Sequence, residues 1–240
     1  MCLLRLVLSL LFVATALPAV TVAYPSGPIS TGHVNSFIAP FDGDRDGRAD
    51  DLPVIRVFFT VPAGSNNVNL RIDALVAETN PASGGGSVDR NQDGFITGVD
   101  TATWLGRRTG SGWRSVTGSV NNTGSSNRDG SFTPGPDPDF RQSSLDAGDY
   151  FVAIGVQGYS FTQAQAGVQL NTPFNGLTYG QQAGWAAWRL TFTSVNGKPI
   201  IITGVGLPPG FNVPEPSWLA LIALGGAAWW RHRRRLAHTV

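Results

Sequence analysis

The chain has 240 residues with 30 glycines, about 12.5% and nearly twice the average usage, and only 14% charged residues. Lysine and methionine occur once each, so this is turn-rich chemistry and not that of an all-helical protein. Aromatic residues make up 10%, too many for a disordered chain, and the formal net charge is +1. That charge is unevenly placed. Arg5 lies in the first segment and Arg231, Arg233, Arg234 and Arg235 in the last. Residues 24–213 carry 12 basic against 15 acidic side chains, which excludes a general nucleic-acid binder. The only cysteine is Cys2, so no intramolecular disulfide can form.

Residues 1–23 read as a secretory signal helix. Arg5 supplies the positive start, Leu6 to Ala16 the apolar run, and Pro18 the break. Thr21 and Ala23 offer the small residues that signal peptidase needs, with cleavage after Ala23. The alternative is an uncleaved anchor, for which the run is short. Cleavage would remove Cys2 and leave an exported body without disulfides.

The body, residues 24–213, reads as one all-β domain. Its first charged feature is the acidic loop Asp42-Gly43-Asp44-Arg45-Asp46-Gly47-Arg48-Ala49-Asp50-Asp51. Asp42, Asp44 and Asp46 alternate, Asp50 stands at the ninth position, and Arg48 can offer its backbone carbonyl. Carboxylates so spaced repel one another unless neutralised, which favours a Ca²⁺ ion held by oxygen ligands. Arg45 and Arg48 are the rival neutralisers. Residues 54–60 then form a β-branched and aromatic run, followed by turn chemistry at Pro62 to Asn66. Val68, Leu70, Ile72 and Ala74 alternate with Asn67, Asn69, Arg71 and Asp73, the period of a half-buried strand.

A second candidate Ca²⁺ loop runs from Asp89 to Asp100. Asp89, Asn91, Asp93, Thr97 and Asp100 place oxygen side chains at positions 1, 3, 5, 9 and 12, with Gly94 at the turn and the Phe95 carbonyl available. The first eight positions are similar to an EF-hand or dockerin loop. Asp100 is shorter than the usual glutamate, and flanking helices are absent. The alternative is a solvated Asx-turn.

Residues 100–105 read as a strand, and 106–142 as a long polar loop region rich in Gly, Ser, Asn and Pro. Tyr150, Val152, Ile154 and Val156 alternate in a further strand. So do Trp188, Leu190 and Phe192, and Ile200 to Ile202 opens another. No stretch of the body shows a convincing helical stripe. Many short strands with turn signals indicate an antiparallel, jelly-roll-like β-sandwich with long Gly-rich loops.

Catalytic chemistry is sparse. His33 is the body's one histidine, and it reads as a surface residue. Cys–His catalysis and an ordinary His/Cys zinc site are therefore excluded. Glu78 is the body's only glutamate, which disfavours a two-carboxylate glycosidase. The expected class is non-catalytic. Trp188 reads as core, and Trp113, in the polar loop, as the better candidate for an exposed sugar-stacking platform.

The C-terminal segment, residues 214–240, is the most specific feature. Pro214-Glu215-Pro216 precedes an apolar segment at 217–230, and the basic cluster 231–235 follows at once. Trp218 to Trp230 would rise about 20 Å as a helix, short of a ~30 Å hydrocarbon core, with flanking arginines able to snorkel. The positive-inside rule puts the arginines in the cytoplasm and the body outside. This order of parts resembles the PEP-CTERM sorting signal of exported bacterial proteins. The resemblance implies a transient inner-membrane anchor, recognition by an exosortase, cleavage near the Pro-Glu-Pro motif and release to the cell surface or matrix. Within the body, residues 57–64 and Ser144-Leu145-Asp146-Ala147-Gly148-Asp149-Tyr150-Phe151-Val152-Ala153-Ile154 resemble the bacterial pre-peptidase C-terminal β-sandwich. That likeness implies a non-catalytic module, sometimes Ca²⁺-binding. A carbohydrate-binding module of an exopolysaccharide matrix is the alternative reading of the body.

Overall fold

Ile55, Val57, Phe59 and Val61 are fully buried and alternate with half-buried Arg56, Phe58 and Thr60, so one strand face points into a core. The computed structural model describes residues 24–75, 101–119, 138–172, 186–208 and 211, within a compact unit spanning Val22–Phe211. In chain order the elements are β1 (Pro28–Ile29), β2 (Thr31–Ile38), β3 (Leu52–Pro53), β4 (Ile55–Val61) and β5 (Val68–Leu75). They continue with β6 (Thr101–Thr109), β7 (Gly112–Ser119), β8 (Asp139–Leu145) and β9 (Gly148–Val156). The last are the short helix α1 (Phe161–Ala166), β10 (Val168–Gln169), β11 (Ala186–Ser194) and β12 (Ile200–Gly206).

The fold is all-β and sandwich-like. One sheet has the order β1-β12-β4-β9-β6-β7, another β2-β11-β5-β8, and β10 pairs with β3. The pairings of these strands are antiparallel. The two larger sheets meet through their apolar faces. Phe59 of β4 packs edge-on against Phe192 of β11 at 5.8 Å, and stacks on Tyr150 of β9 at 5.3 Å. Leu70, Ile72, Val152, Ile154, Trp188 and Leu190 are buried with them. Two sheets with one apolar face each bury those faces against one another.

A second apolar cluster involves the opposite face of β9. Phe151, Ala153, Ala102, Val54, Tyr159 and Ala164 are buried together, with Phe58, Trp104, Trp113 and Phe161 packed around them. The helix α1 covers part of this cluster through Ala164 and Phe161. Its start is a capping box, in which the Ser160 side chain accepts from the Gln163 N–H and the Gln163 side chain accepts from the Ser160 N–H. Gly167 ends it in the left-handed conformation at φ 84°.

Two sequence expectations need correction. The region 106–142 is not one loop. β6 runs on to Thr109, a turn leads into β7, and β8 begins at Asp139. Glycines 106 and 118 make room for rings rather than breaking strands, since a Cβ there would meet Phe151 at 2.5 Å and Trp104 at 2.8 Å. On β5, Arg71 and Asp73 sit at the polar positions of the alternation but are buried, not solvated. Arg71 Nε donates to Asp139 Oδ1 at 2.8 Å, and its Nη2 lies 3.2 Å from Asp73 Oδ2. Burial of those charges is tolerable because they are paired. Among the described residues no helix is long and apolar enough to cross a membrane. The signal segment 1–23, the sorting motif and the apolar segment 217–230 lie outside the described residues.

Candidate metal centre

The acidic loop is closed by a two-way backbone bridge. Phe41 N–H donates to the Asp51 carbonyl at 3.0 Å, and Asp51 N–H to the Phe41 carbonyl at 3.1 Å. Between them the chain turns through left-handed conformations at Arg45 (φ 65°) and Gly47 (φ 90°). Glycine adopts the second without strain. Carboxylates then secure the turns. Asp42 Oδ2 accepts the Gly47 N–H at 3.1 Å, Asp44 Oδ1 the Asp46 N–H at 3.1 Å, and Asp46 Oδ1 the Arg48 N–H at 2.9 Å.

Asp51 organises the inner side of the loop. It is fully buried. Its Oδ2 accepts the N–H groups of Gly43 at 2.6 Å and Asp44 at 3.0 Å, and its Oδ1 accepts the Asn171 N–H at 2.8 Å. One carboxylate oxygen from each of Asp42, Asp44 and Asp51 falls within 4.8 Å of the others. Two oxygens bound to one Ca²⁺ at 2.3–2.6 Å lie at most about 5 Å apart, so a single ion can reach all three. The hydrogen bonds to Asp51 do not exhaust its lone pairs.

Two oxygens in this loop are buried without a hydrogen-bond partner, Asp42 Oδ1 and Asp50 Oδ1. A buried carboxylate oxygen without a donor is costly. Among the described residues neither Arg45 nor Arg48, both exposed, forms an ion pair with these carboxylates. Neither arginine therefore neutralises the loop carboxylates through a contact ion pair.

Of the residues expected as ligands here, Asp42 and Asp44 are brought together. Asp46 and Asp50 fall outside the three-carboxylate group. Asp51 takes a place that ligand counting did not assign. Alternation predicts ligands at every second position, but the chain enters β3 at Leu52, and the bridge to Phe41 turns Asp51 inward. The second loop's Asp89, Asn91, Asp93, Phe95, Thr97 and Asp100 lie outside the described residues, as do Pro214, Glu215 and Pro216.

The other singled-out side chains are settled by burial. His33 is exposed on β2, and Trp188 is core at 1% exposure. Trp113 is not an exposed platform in a loop. It is a half-buried residue of β7 whose ring meets Phe151 at 4.9 Å and Phe58 at 5.9 Å. Neighbouring apolar rings draw it onto the sheet. No protein-family model matches the chain, and no curated protein matches it.

Proposed function

We propose that this chain is an exported, non-catalytic β-sandwich protein, delivered to the bacterial cell surface or matrix by its sorting tail and stabilised there by Ca²⁺. The observation that carries the calcium reading is the pairing of a three-carboxylate cluster with the orphaned, buried Asp42 Oδ1. Asp42, Asp44 and Asp51 are the first ligands in this reading, and the Arg48 carbonyl, Asp46 and Asp50 complete the sphere through small loop adjustments. The loop at Asp89 to Asp100 supplies a second ion. A cysteine-free exported body has no disulfides to restrain it, so ions that pin long loops are a fitting replacement.

Delivery rests on the sequence at both ends. Signal peptidase acts after Ala23, the segment 217–230 lodges in the inner membrane, and an exosortase reads Pro214-Glu215-Pro216. The strand order supports the finer jelly-roll description. The chain passes between sheets with β2, β5, β8 and β11 on one side and β4, β6, β7 and β9 on the other, the second sheet being extended by β12 and β1.

Melting the full-length protein in detergent tests the calcium reading. Ca²⁺ at 100 times its dissociation constant adds ~2.7 kcal/mol per site, and EDTA reverses the gain. Mg²⁺ substitutes poorly, because it gives up its water shell reluctantly. A melting curve indifferent to Ca²⁺ would leave these loops as ordinary turns. A second reading, carbohydrate binding in a matrix, is favoured by one feature: the Trp113 ring walls an open groove on the six-stranded sheet.

A further inference from the structure

The groove measures about 320 Å³ and is lined by Phe58, Thr60, Arg108, Trp113, Asp149 and Thr203. Backbone register builds it. Thr60 sits opposite Asp149 across β4 and β9, and Arg108 opposite Trp113 across β6 and β7. Two residue pairs along, on the same face, Phe58 faces Phe151, which in turn faces Gly106. The absent side chain at Gly106 lets the Phe151 ring lie across β6, where a Cβ would approach it to 2.5 Å. Trp113 packs against that ring at 4.9 Å. The aromatic wall is thus fixed by the second apolar cluster.

The polar groups are placed beside this wall. Asp149 is exposed, and its Oδ1 accepts the Thr60 hydroxyl at 2.7 Å. Arg108 is exposed, with its guanidinium carbon 6.0 Å from the Trp113 ring centre. A fixed aromatic wall, a carboxylate, a guanidinium and two threonine hydroxyls therefore converge on one open space.

We propose that this groove binds a neutral oligosaccharide; the inference rests on the carbohydrate reading above. The apolar C–H face of a pyranose packs on aromatic rings, while its ring hydroxyls need both donors and acceptors. Asp149 accepts from hydroxyls and Arg108 donates to them, each with charge assistance. Asp149 and Arg108 are the two charged residues of the lining and bear opposite signs, so the lining itself carries no net charge to select an anionic glycan. An extended peptide fits less well. β4, β9 and β6 are interior strands whose backbone groups are taken up by the ladder, so strand addition is closed to it there.

The test titrates the full-length protein, in a sugar-free detergent, with hexasaccharides of β-1,4-, β-1,3- and α-1,4-glucan and with a hexauronate. Tryptophan fluorescence and calorimetry report binding. The groove predicts saturable binding of at least one neutral hexasaccharide. Asp149→Ala and Arg108→Ala, both at exposed side chains, should each weaken it by at least tenfold while leaving the melting temperature unchanged. Glucan binding that survives both substitutions would overturn the groove and spare the carbohydrate reading. No binding of a neutral hexasaccharide at millimolar concentration would overturn both. Preference for the hexauronate would overturn the neutral assignment.

Discussion

Asp51 and Asn171 are tied together by a 2.8 Å hydrogen bond between segments far apart in sequence, from the Asn171 N–H to Asp51 Oδ1. The other oxygen of the same carboxylate holds Gly43 and Asp44. The acidic loop is therefore anchored to the segment that follows β10, and β10 pairs with β3. Order in the loop and order in that segment are one problem.

Replacing Asp51 should be costly whether or not calcium is present. Asp51→Ala strands three backbone N–H groups, and a hydrogen bond to a charged partner is worth about 1.5–3 kcal/mol. A loss of about 3–5 kcal/mol is expected in urea unfolding of the full-length protein. Asp51→Asn keeps one acceptor oxygen and should lose less. A loss within about 0.5 kcal/mol for Asp51→Ala, typical of a plain surface site, would contradict the anchoring role.

Gly106→Ala should destabilise by about 1–3 kcal/mol, the range for an overpacked interior. The added methyl would strike the Phe151 ring, and Trp113 rests on that ring. Tryptophan emission should shift together with the unfolding midpoint. A neutral substitution would mean that the ring moves aside at little cost.

Alkaline pH should weaken the fold through Tyr159. Its hydroxyl is buried within the second apolar cluster and shares its one proton between the carbonyls of Ala102 at 2.8 Å and Ala153 at 3.1 Å. Burial pushes its phenol well above the usual tyrosine range. The unfolded chain ionises near pH 10 while the folded chain does not, so the unfolded state holds fewer protons above that point. The contribution is complete below about pH 10 and is lost as pH rises from there towards the folded value, by up to ~1.4 kcal/mol per pH unit. Urea midpoints between neutral pH and pH 11 should show this slope, and Tyr159→Phe should flatten it. Equal slopes in the two proteins would rule the account out.

Sorting has its own signature. Mass spectrometry of surface-released protein should find chains lacking the arginine cluster 231–235. Alanines at Pro214, Glu215 and Pro216 should hold the protein in the inner membrane. Intact Arg231 to Val240 in the released form would sink the exosortase reading.

The strands were legible where one face is apolar and the other is not. β4, β5 and β11 show this plainly, because Phe59, Ile72 and Leu190 point into the same core. β9 was legible on one face only. Its second face is covered, and buried Phe151 and Ala153 carry no sign in the sequence of what covers them. The β6–β7 hairpin was hidden by its position at a sheet edge, where Arg107, Arg108, Ser111, Arg114 and Ser115 read as loop. The helix α1 has six residues, too few for a stripe, and its capping residues Ser160, Gln163 and Gly167 went unread in the sequence. In the metal loop the alternation of Asp42 and Asp44 was readable. Asp51 was not, because its inward turn depends on pairing with Phe41.

The central claim is met most directly by counting bound calcium. Equilibrium dialysis of the full-length protein against Ca²⁺, with Asp42→Ala beside it, gives ions per chain without relying on stability. Two acidic loops predict two bound ions in the native chain and one in the variant, since Asp42 supplies the orphaned oxygen of the first loop. An equal number of ions bound by the two proteins, or none by either, would contradict the assignment of this loop as a calcium site.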